Sequence, residues 1–228
     1  MGWKFRVKAL LRPALVSPTI LLRRRKISRY LAETPEPKLH VGCGGNILPG
    51  WLNTDRFLLN RRGVVYLDAR ERLPFASGTL HLIFNEHFIS CLTLDEAMRF
   101  LKECYRVLQP GGILRTATPV WSFLVELSRN QDTPYRDYVQ WATKEFLHTD
   151  RAAPCLVINN FLYGFGCKSV LDLETLVWML SEAGFSNITE QAVGQSSHSE
   201  LQGIEGHGKF VPPEMNELET TVLEATKM

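Results

Sequence analysis

No acidic residue occurs in the first 31 positions of this 228-residue chain, although nine basic ones do. The rest therefore holds 17 basic and 24 acidic residues, so the net charge of +2 hides a basic arm on an acidic body. An acidic body excludes a domain built throughout to grip nucleic acid. The arm suits an anionic membrane surface, an acidic partner or an oligomer contact, or is a solvated face. The five cysteines are scattered and form no C-x-x-C pair. That excludes a disulfide frame and a cysteine zinc site and fits a reducing, cytoplasmic compartment. The apolar run "ALLRPALVSPTILL" is interrupted by Arg12, Pro13 and Pro18. It is too broken for a membrane span or a secretory signal, which leaves a membrane-peripheral role for residues 1–30. No internal repeat or low-complexity segment occurs.

What is present divides the chain at Pro35 and Pro37. Residues 1–36 read as a basic helical arm. Lys4, Lys8 and Arg12 share one helical face, Pro13 ends that helix, and Ser17 with Pro18 starts the next. Residues 37–228 read as the body. "KLHV" is a strand entering glycines, and "GVVYLD" (63–68) and "TLHLIF" (79–84) are further strands. Thr93 with Glu96 forms a capping box ahead of a stripe of Ala97, Phe100, Leu101, Cys104, Val107 and Leu108 at helical period. "ILRTAT" is the next strand. Residues 119–129 and 135–147 read as helices, and "CLVINNFLYGFG" as strand or loop. Asp172 caps a helix that Gly184 ends. "FSNITEQAV" and "LETTVLEAT" are the closing strands. Strands alternating with helices predict a doubly wound, mostly parallel sheet.

The stretch "KLHVGCGGN" (38–46) carries the first functional signal. Glycine at the end of a first strand lets a ligand approach the backbone. A dinucleotide loop would need a third glycine where Ile47 stands, and an acid about twenty residues on. Asp55 comes too soon for that, and no Gly-Lys-Ser/Thr follows for a P-loop.

"HVGCGGN", "PGWLNTD", "VYLDARERLPFASGTLHLIFNEHFISCL" and "LKECYRVLQPGGILRTATP", in this order, resemble the class I S-adenosylmethionine-dependent methyltransferases. The methyltransferase-11-like group, associated with polysaccharide and natural-product pathways, is the nearest in pattern. The resemblance covers residues 38–119 and extends more loosely to the C-terminus; the arm lies outside it. It implies a seven-stranded Rossmann-like sheet and S-adenosyl-L-methionine as cofactor. It implies that Gly42, Cys43 and Gly44 pass under the methionine part and that Asp55 accepts from the ribose hydroxyls. Asp68 and Ala69 would face the adenine. Asn85, Glu86 and His87 would line the floor near the methyl group, and Pro110-Gly111-Gly112 would be a structural turn. The acceptor, a small molecule or glycan methylated at oxygen, would be received by residues 119–168 and 196–208.

Asp55 follows thirteen positions after Gly42, which leaves little room for a full crossover helix. The expectation is a turn around 47–51, with Trp51 and the arm filling the vacated place. His87 and His148, the latter beside Asp150, are the candidate proton acceptors. For His87 the favoured reading is a histidine satisfied in the core or stacked beside the cofactor. His198, Glu205 and His207 are candidates on the acceptor side. Their H-x₆-E-x-H spacing matches no helix-face metal motif, so no metal is expected. His81, where many relatives carry an acid, and Ser90-Cys91, where they carry Glu-His, leave a second reading open. It is a degenerate methyltransferase fold serving as a binding or scaffold module. His40 receives no role.

Overall fold

Seven strands form one sheet in the computed structural model. They are β1 (Lys38–Val41), β2 (Leu52–Asp55), β3 (Val64–Tyr66), β4 (Leu80–Glu86), β5 (Leu108–Pro119), β6 (Ser186–Gln191) and β7 (Thr220–Thr226). Their order is β3-β2-β1-β4-β5-β7-β6. Strands β1 to β5 pair in parallel, and β7 runs antiparallel to both β5 and β6. The expected seven-stranded, mostly parallel α/β sheet is therefore present, with one reversed strand near its edge. The structure describes residues 12–57, 63–147 and 149–228, with side chains from residue 22 onward. Among the described residues no helix is long and apolar enough to cross a membrane.

Helix α1 (Arg12–Glu33) precedes the sheet and α2 (Leu94–Val107) joins β4 to β5. Helices α3 (Trp121–Arg129), α4 (Thr133–Ala142) and α5 (Pro154–Asn159) form an insertion after β5. Helix α6 (Leu173–Glu182) leads to β6, and α7 (Pro213–Glu219) to β7. Local chemistry explains the best-defined ends. Thr93 accepts from the Glu96 amide and Glu96 from the Thr93 amide, completing the capping box. Asp172 accepts from the Thr175 amide at 2.7 Å. Gly184 closes α6 with φ +107°.

Three expectations are corrected. Helix α1 does not restart at Ser17 but runs through Pro18; the expected helix before Pro13 falls mainly outside the described residues. "CLVINNFLYGFG" is neither strand nor loop but α5 followed by a π-helical turn, 160–164. Helix α7 occupies residues where no helix was expected.

The two faces of the sheet are covered differently. On one, Leu39, Val41, Ile83, Leu114 and Leu223 pack with the apolar stripes of α2 and α6. Ile27 of α1, 4% exposed, belongs to this same cluster. On the other face, Leu82, Phe84, Ile113, Ala117 and Val222 pack with Leu48, Trp51, Leu201 and Ile204. No helix stands between β1 and β2, as the short spacing required. Trp51 fills part of that place, as expected. Of the arm's described side chains, Tyr30 reaches the turn by donating to the Gly50 carbonyl at 2.9 Å, while Ile27 packs on the opposite face; the strap 193–211, between β6 and β7, covers the rest. The insertion has its own core around Phe123, Leu127, Tyr138, Val139 and Phe161, joined by Val211 and Met215.

His40 acquires a role here. It is 1% exposed, stacks on Phe84 with centroids 4.9 Å apart, and its Nδ1 lies 3.2 Å from Asn53 Oδ1. Asn53 Oδ1 also accepts from the Leu48 amide, while its Nδ2 donates to the Leu48 and Trp51 carbonyls. The pair thus satisfies the backbone of the helix-less turn. Burial, opposed by the bond to Asn53, lowers His40 from its ordinary 6.5 to about 4. The unfolded chain therefore takes up this proton first as the pH falls. The neutral ring's contribution is intact above 6.5 and is lost on descent towards 4, at about 1.4 kcal/mol per pH unit. Denaturant midpoints at neutral pH and at about pH 5 should differ accordingly. His40→Gln should flatten the dependence by that amount; an unchanged slope refutes the assignment.

Candidate active site

The glycine turn and its acid form one unit at the carboxyl ends of β1 and β2. Gly42 and Gly44 have φ of +68° and +48°, the left-handed region that glycine enters without strain. The Cys43 amide donates to the Thr54 carbonyl at 3.0 Å, tying the turn to β2. Asp55 Oδ2 accepts from the Gly44 amide at 2.9 Å and Oδ1 from the Phe57 amide at 2.6 Å. The early acid is thus a brace for the turn. A Cβ on Gly42 would lie 2.7 Å from Phe88 Cδ2, whereas one on Gly44 would meet nothing within 4 Å. The first glycine admits a protein side chain, and the second faces open space.

The other residues expected around the cofactor are variously engaged. Asp68 is 7% exposed and meets Arg70 through both oxygens and Arg56 at 3.2 Å. Burial raises its pKa, but the hydrogen bonds and charge of Arg70, with Arg56, bring it below the ordinary carboxylate value. Ala69 is 4% exposed in the main core. Asn85 is fully buried beside Val41, with Nδ2 bonded to Thr116 at 3.0 Å and Oδ1 without a partner. Glu86 accepts from the amides of Gly206 and His207 at 2.8 and 3.0 Å. Burial raises its pKa despite those two bonds.

One further residue on, the chain turns sharply. His87 has φ +49°, uncommon for a non-glycine residue and of the kind that gathers at functional sites. Its ring stacks on His207, centroids 3.9 Å apart and planes 25° apart. Burial, then the charge of His207, lowers its pKa to about 3, so the ring is neutral. His207 Nε2 lies 2.7 Å from Glu219 Oε1, and Tyr138 donates its hydroxyl to Oε2. Burial, then the Glu219 charge, raises the Tyr138 hydroxyl. Thr220 Oγ1 is 3.4 Å from His87 Nε2.

His87, His207 and Glu219 bring ligand-type atoms within 4.8 Å of one another. Glu219 Oε1 faces both rings, 2.7 Å from His207 Nε2 and 3.9 Å from His87 Nε2, an arrangement suited to proton handling. The structure brings His87 and His207 together. It sends Glu205 to Arg115 at 2.6 Å and leaves His198 exposed. His148 lies outside the described residues.

Residues 43–116 match the methyltransferase domain family model. The match marks residues 43–116 as a methyltransferase-domain segment. No curated protein matches the chain. Among solved structures it is similar to a SAM-dependent methyltransferase from Archaeoglobus fulgidus, at 16% identity and TM-score 0.51, covering 92% of this chain and 94% of that one. It is also similar to an S-adenosylmethionine-dependent methyltransferase from Mesorhizobium loti, at 15% identity and TM-score 0.51, covering 87% and 96%. The CurJ carbon methyltransferase aligns at 16% identity and TM-score 0.48; 85% of this chain spans 49% of that one.

S-adenosylmethionine is the cofactor that a methyltransferase-domain segment implies. The residues present fit it. The space above Gly44 that a Cβ would fill is open, Asp55 stands beside it, and Asn85 Oδ1 is a buried acceptor in want of a donor. Sequence reasoning missed Glu219 and Tyr138, which join the histidine pair. Glu219 was read as the entrance to a strand, and Tyr138 as one aromatic among many. It also missed the buried Arg115, whose signal was in plain sight: a lone charge inside the apolar strand "ILRTAT".

Proposed function

We propose that this methyltransferase transfers a methyl group to a hydroxyl oxygen of a small-molecule or sugar acceptor. The acceptor would lie between the glycine turn and the α3–α5 insertion. The observation that carries this reading is the cluster of His87, His207, Glu219 and Tyr138 at the carboxyl end of β4, on the side of the strap. Hydroxyls are poor nucleophiles until a proton is drawn off, and imidazole is the side chain suited to that near neutral pH. Tyr163 and Phe210 are 77% and 72% exposed. They stand on the insertion and just after His207, and their faces suit stacking on an acceptor ring.

When bound, S-adenosylmethionine supplies an electrophilic methyl carbon on a sulfonium. The protein's part is to hold donor and acceptor in line and exclude water. On this reading Gly42, Cys43 and Gly44 give the backbone surface for the methionine part. Asp55 offers its remaining lone pairs to two vicinal hydroxyls of the ribose. Asp68 and Ala69 would lie at the adenine, and Asn85 and Glu86 on the floor below the methyl group. Each hydrogen bond to a charged group contributes about 1.5–3 kcal/mol, so losing both should weaken binding by at least about 100-fold. Calorimetry with S-adenosylhomocysteine should show that loss in Asp55→Ala and a smaller one in Asp55→Asn, which keeps one acceptor for the turn. Absence of heat with the wild type, or an unaltered affinity in Asp55→Ala, would refute the assignment.

A further inference from the structure

We infer that His207, oriented by Glu219, is the general base, and that His87, Glu219 and Tyr138 are positioning residues around it. The inference rests on the hydroxyl-methylation reading above and makes its substrate class specific: an alcohol or phenol that is neutral when it binds. His207 and Glu219 are twelve positions apart and Tyr138 lies eighty-one positions before Glu219, so three separate segments meet here.

Hydrogen-bond arithmetic fixes the protons. An ionised carboxylate only accepts. Glu219, its side chain 4% exposed, receives Tyr138 on Oε2 and His207 on Oε1. The His207 proton therefore sits on Nε2, which leaves Nδ1 as the basic atom. Among the described residues no hydrogen bond engages Nδ1. A carboxylate behind one ring nitrogen holds the tautomer and offsets the positive charge when the other takes a proton. The groups facing this ring are Glu219, Tyr138, the neutral His87 stacked on it, and Glu86, whose Oε1 accepts the His207 amide at 3.0 Å. That amide bond and the Glu205–Arg115 pair two residues earlier fix the backbone of the base. His87 fits a positioning role because burial keeps it uncharged and its strained backbone sets its ring under the other. The His207 side chain is 28% exposed, so its proton can leave to solvent.

The step balances. The acceptor O–H proton passes to His207 Nδ1, and the oxygen's electron pair forms the bond to the methyl carbon. The carbon–sulfur bond breaks with its pair remaining on sulfur, whose charge is thereby cancelled.

The test has a spectroscopic arm and a kinetic arm, both on the full chain with its cofactor. Histidine-labelled protein with S-adenosylhomocysteine should show His207 as the Nε2–H tautomer by long-range proton–nitrogen correlation, and Glu219→Gln should lose that preference. Methyl transfer is then followed with phenols of graded acidity and with methyl glucoside. In His207→Gln, turnover of the weakly acidic phenol and the glucoside should fall about 100-fold. Turnover of 4-nitrophenol, already largely ionised near neutral pH, should fall far less, with cofactor affinity unchanged. An Nδ1–H tautomer, or an equal loss across the series, overturns the proposal. So does failure of every hydroxyl probe while S-adenosylhomocysteine still binds. Failure of S-adenosylhomocysteine itself to bind would instead sink the cofactor assignment. If His207→Gln does not fold, Tyr138→Phe decides, since it leaves both rings in place. The proposal then requires a shifted pH–rate profile, and an unshifted one overturns it.

Discussion

Arg115→Met should destabilise the protein by about 3–5 kcal/mol, the cost typical of removing one partner from a buried ionic network. Arg115 has 0% exposure in the middle of β5. Its Nε donates to Glu205 Oε1 at 2.6 Å, and its Nη1 to Glu224 Oε1 at 2.5 Å and the Gln195 carbonyl at 2.9 Å. Methionine fills a similar volume but leaves two buried carboxylates, with side chains 3% and 6% exposed, without their cation. Each must then be desolvated unpaired or take up a proton on folding. Urea unfolding would measure the loss. The variant Arg115→Met/Glu205→Gln/Glu224→Gln separates charge from packing: it should recover most of the stability, because no buried charge is left. A single variant within about 1 kcal/mol of wild type would mean the network holds nothing.

The consequence reaches beyond stability. Glu205 and Gln195 belong to the strap, and the next two residues, Gly206 and His207, give their amides to Glu86. The guanidinium therefore pins to the sheet the segment that carries the proposed base. Loss of Arg115 should lower methyl transfer more than cofactor affinity, because the glycine turn and Asp55 are braced separately through β2.

How much of this was legible depended on how far each signal travels along the chain. The Thr93–Glu96 box, the Asp172 cap and the glycine turn act within a few residues, and each appears where the sequence placed it. The alternation of strand and helix was also sufficient to predict the sheet, because parallel strands need crossovers. Arg115 was not interpretable, since its partners lie 90 and 109 positions away. The Glu219 pairs were hidden for the same reason. "CLVINNFLYGFG" misled because its apolar and aromatic residues show neither period. Pro18 misled because a proline in the second turn removes a single hydrogen bond, which a 22-residue helix can absorb. The missing crossover and the part Trp51 plays in its place were legible, but the strap that completes the cover was not. Nothing in residues 38–55 points to a strap about 150 positions later, and the Asn46 side chain bonds Ile204 across a separation of 158.

That replacement makes Trp51→Ala the other large effect. Trp51 is 8% exposed, meets Phe84 edge-on with centroids 6.4 Å apart, and lies under Lys38 Nζ at 5.8 Å. It packs in one cluster with Leu48 and with Leu201 and Ile204 of the strap. A crossover helix would cover this ground with several side chains; here the indole is the largest of the few that do, so truncation should cost about 3–5 kcal/mol. Trp51→Phe should cost far less, because an aromatic ring remains to meet Phe84 and the strap. Urea midpoints would test both, and a loss under about 1 kcal/mol for alanine would show that the strap closes the gap by itself. Trp51 and Arg115 hold the same strap from two points, one by apolar contact and one by charge. Residues that share an element in this way do not contribute independently. Once either anchor is lost and the strap has loosened, the other has less left to hold. The double variant Trp51→Ala/Arg115→Met should therefore lose less than the two single losses combined. Full additivity would mean that each residue stabilises only its own surroundings and that the strap is not held as one piece.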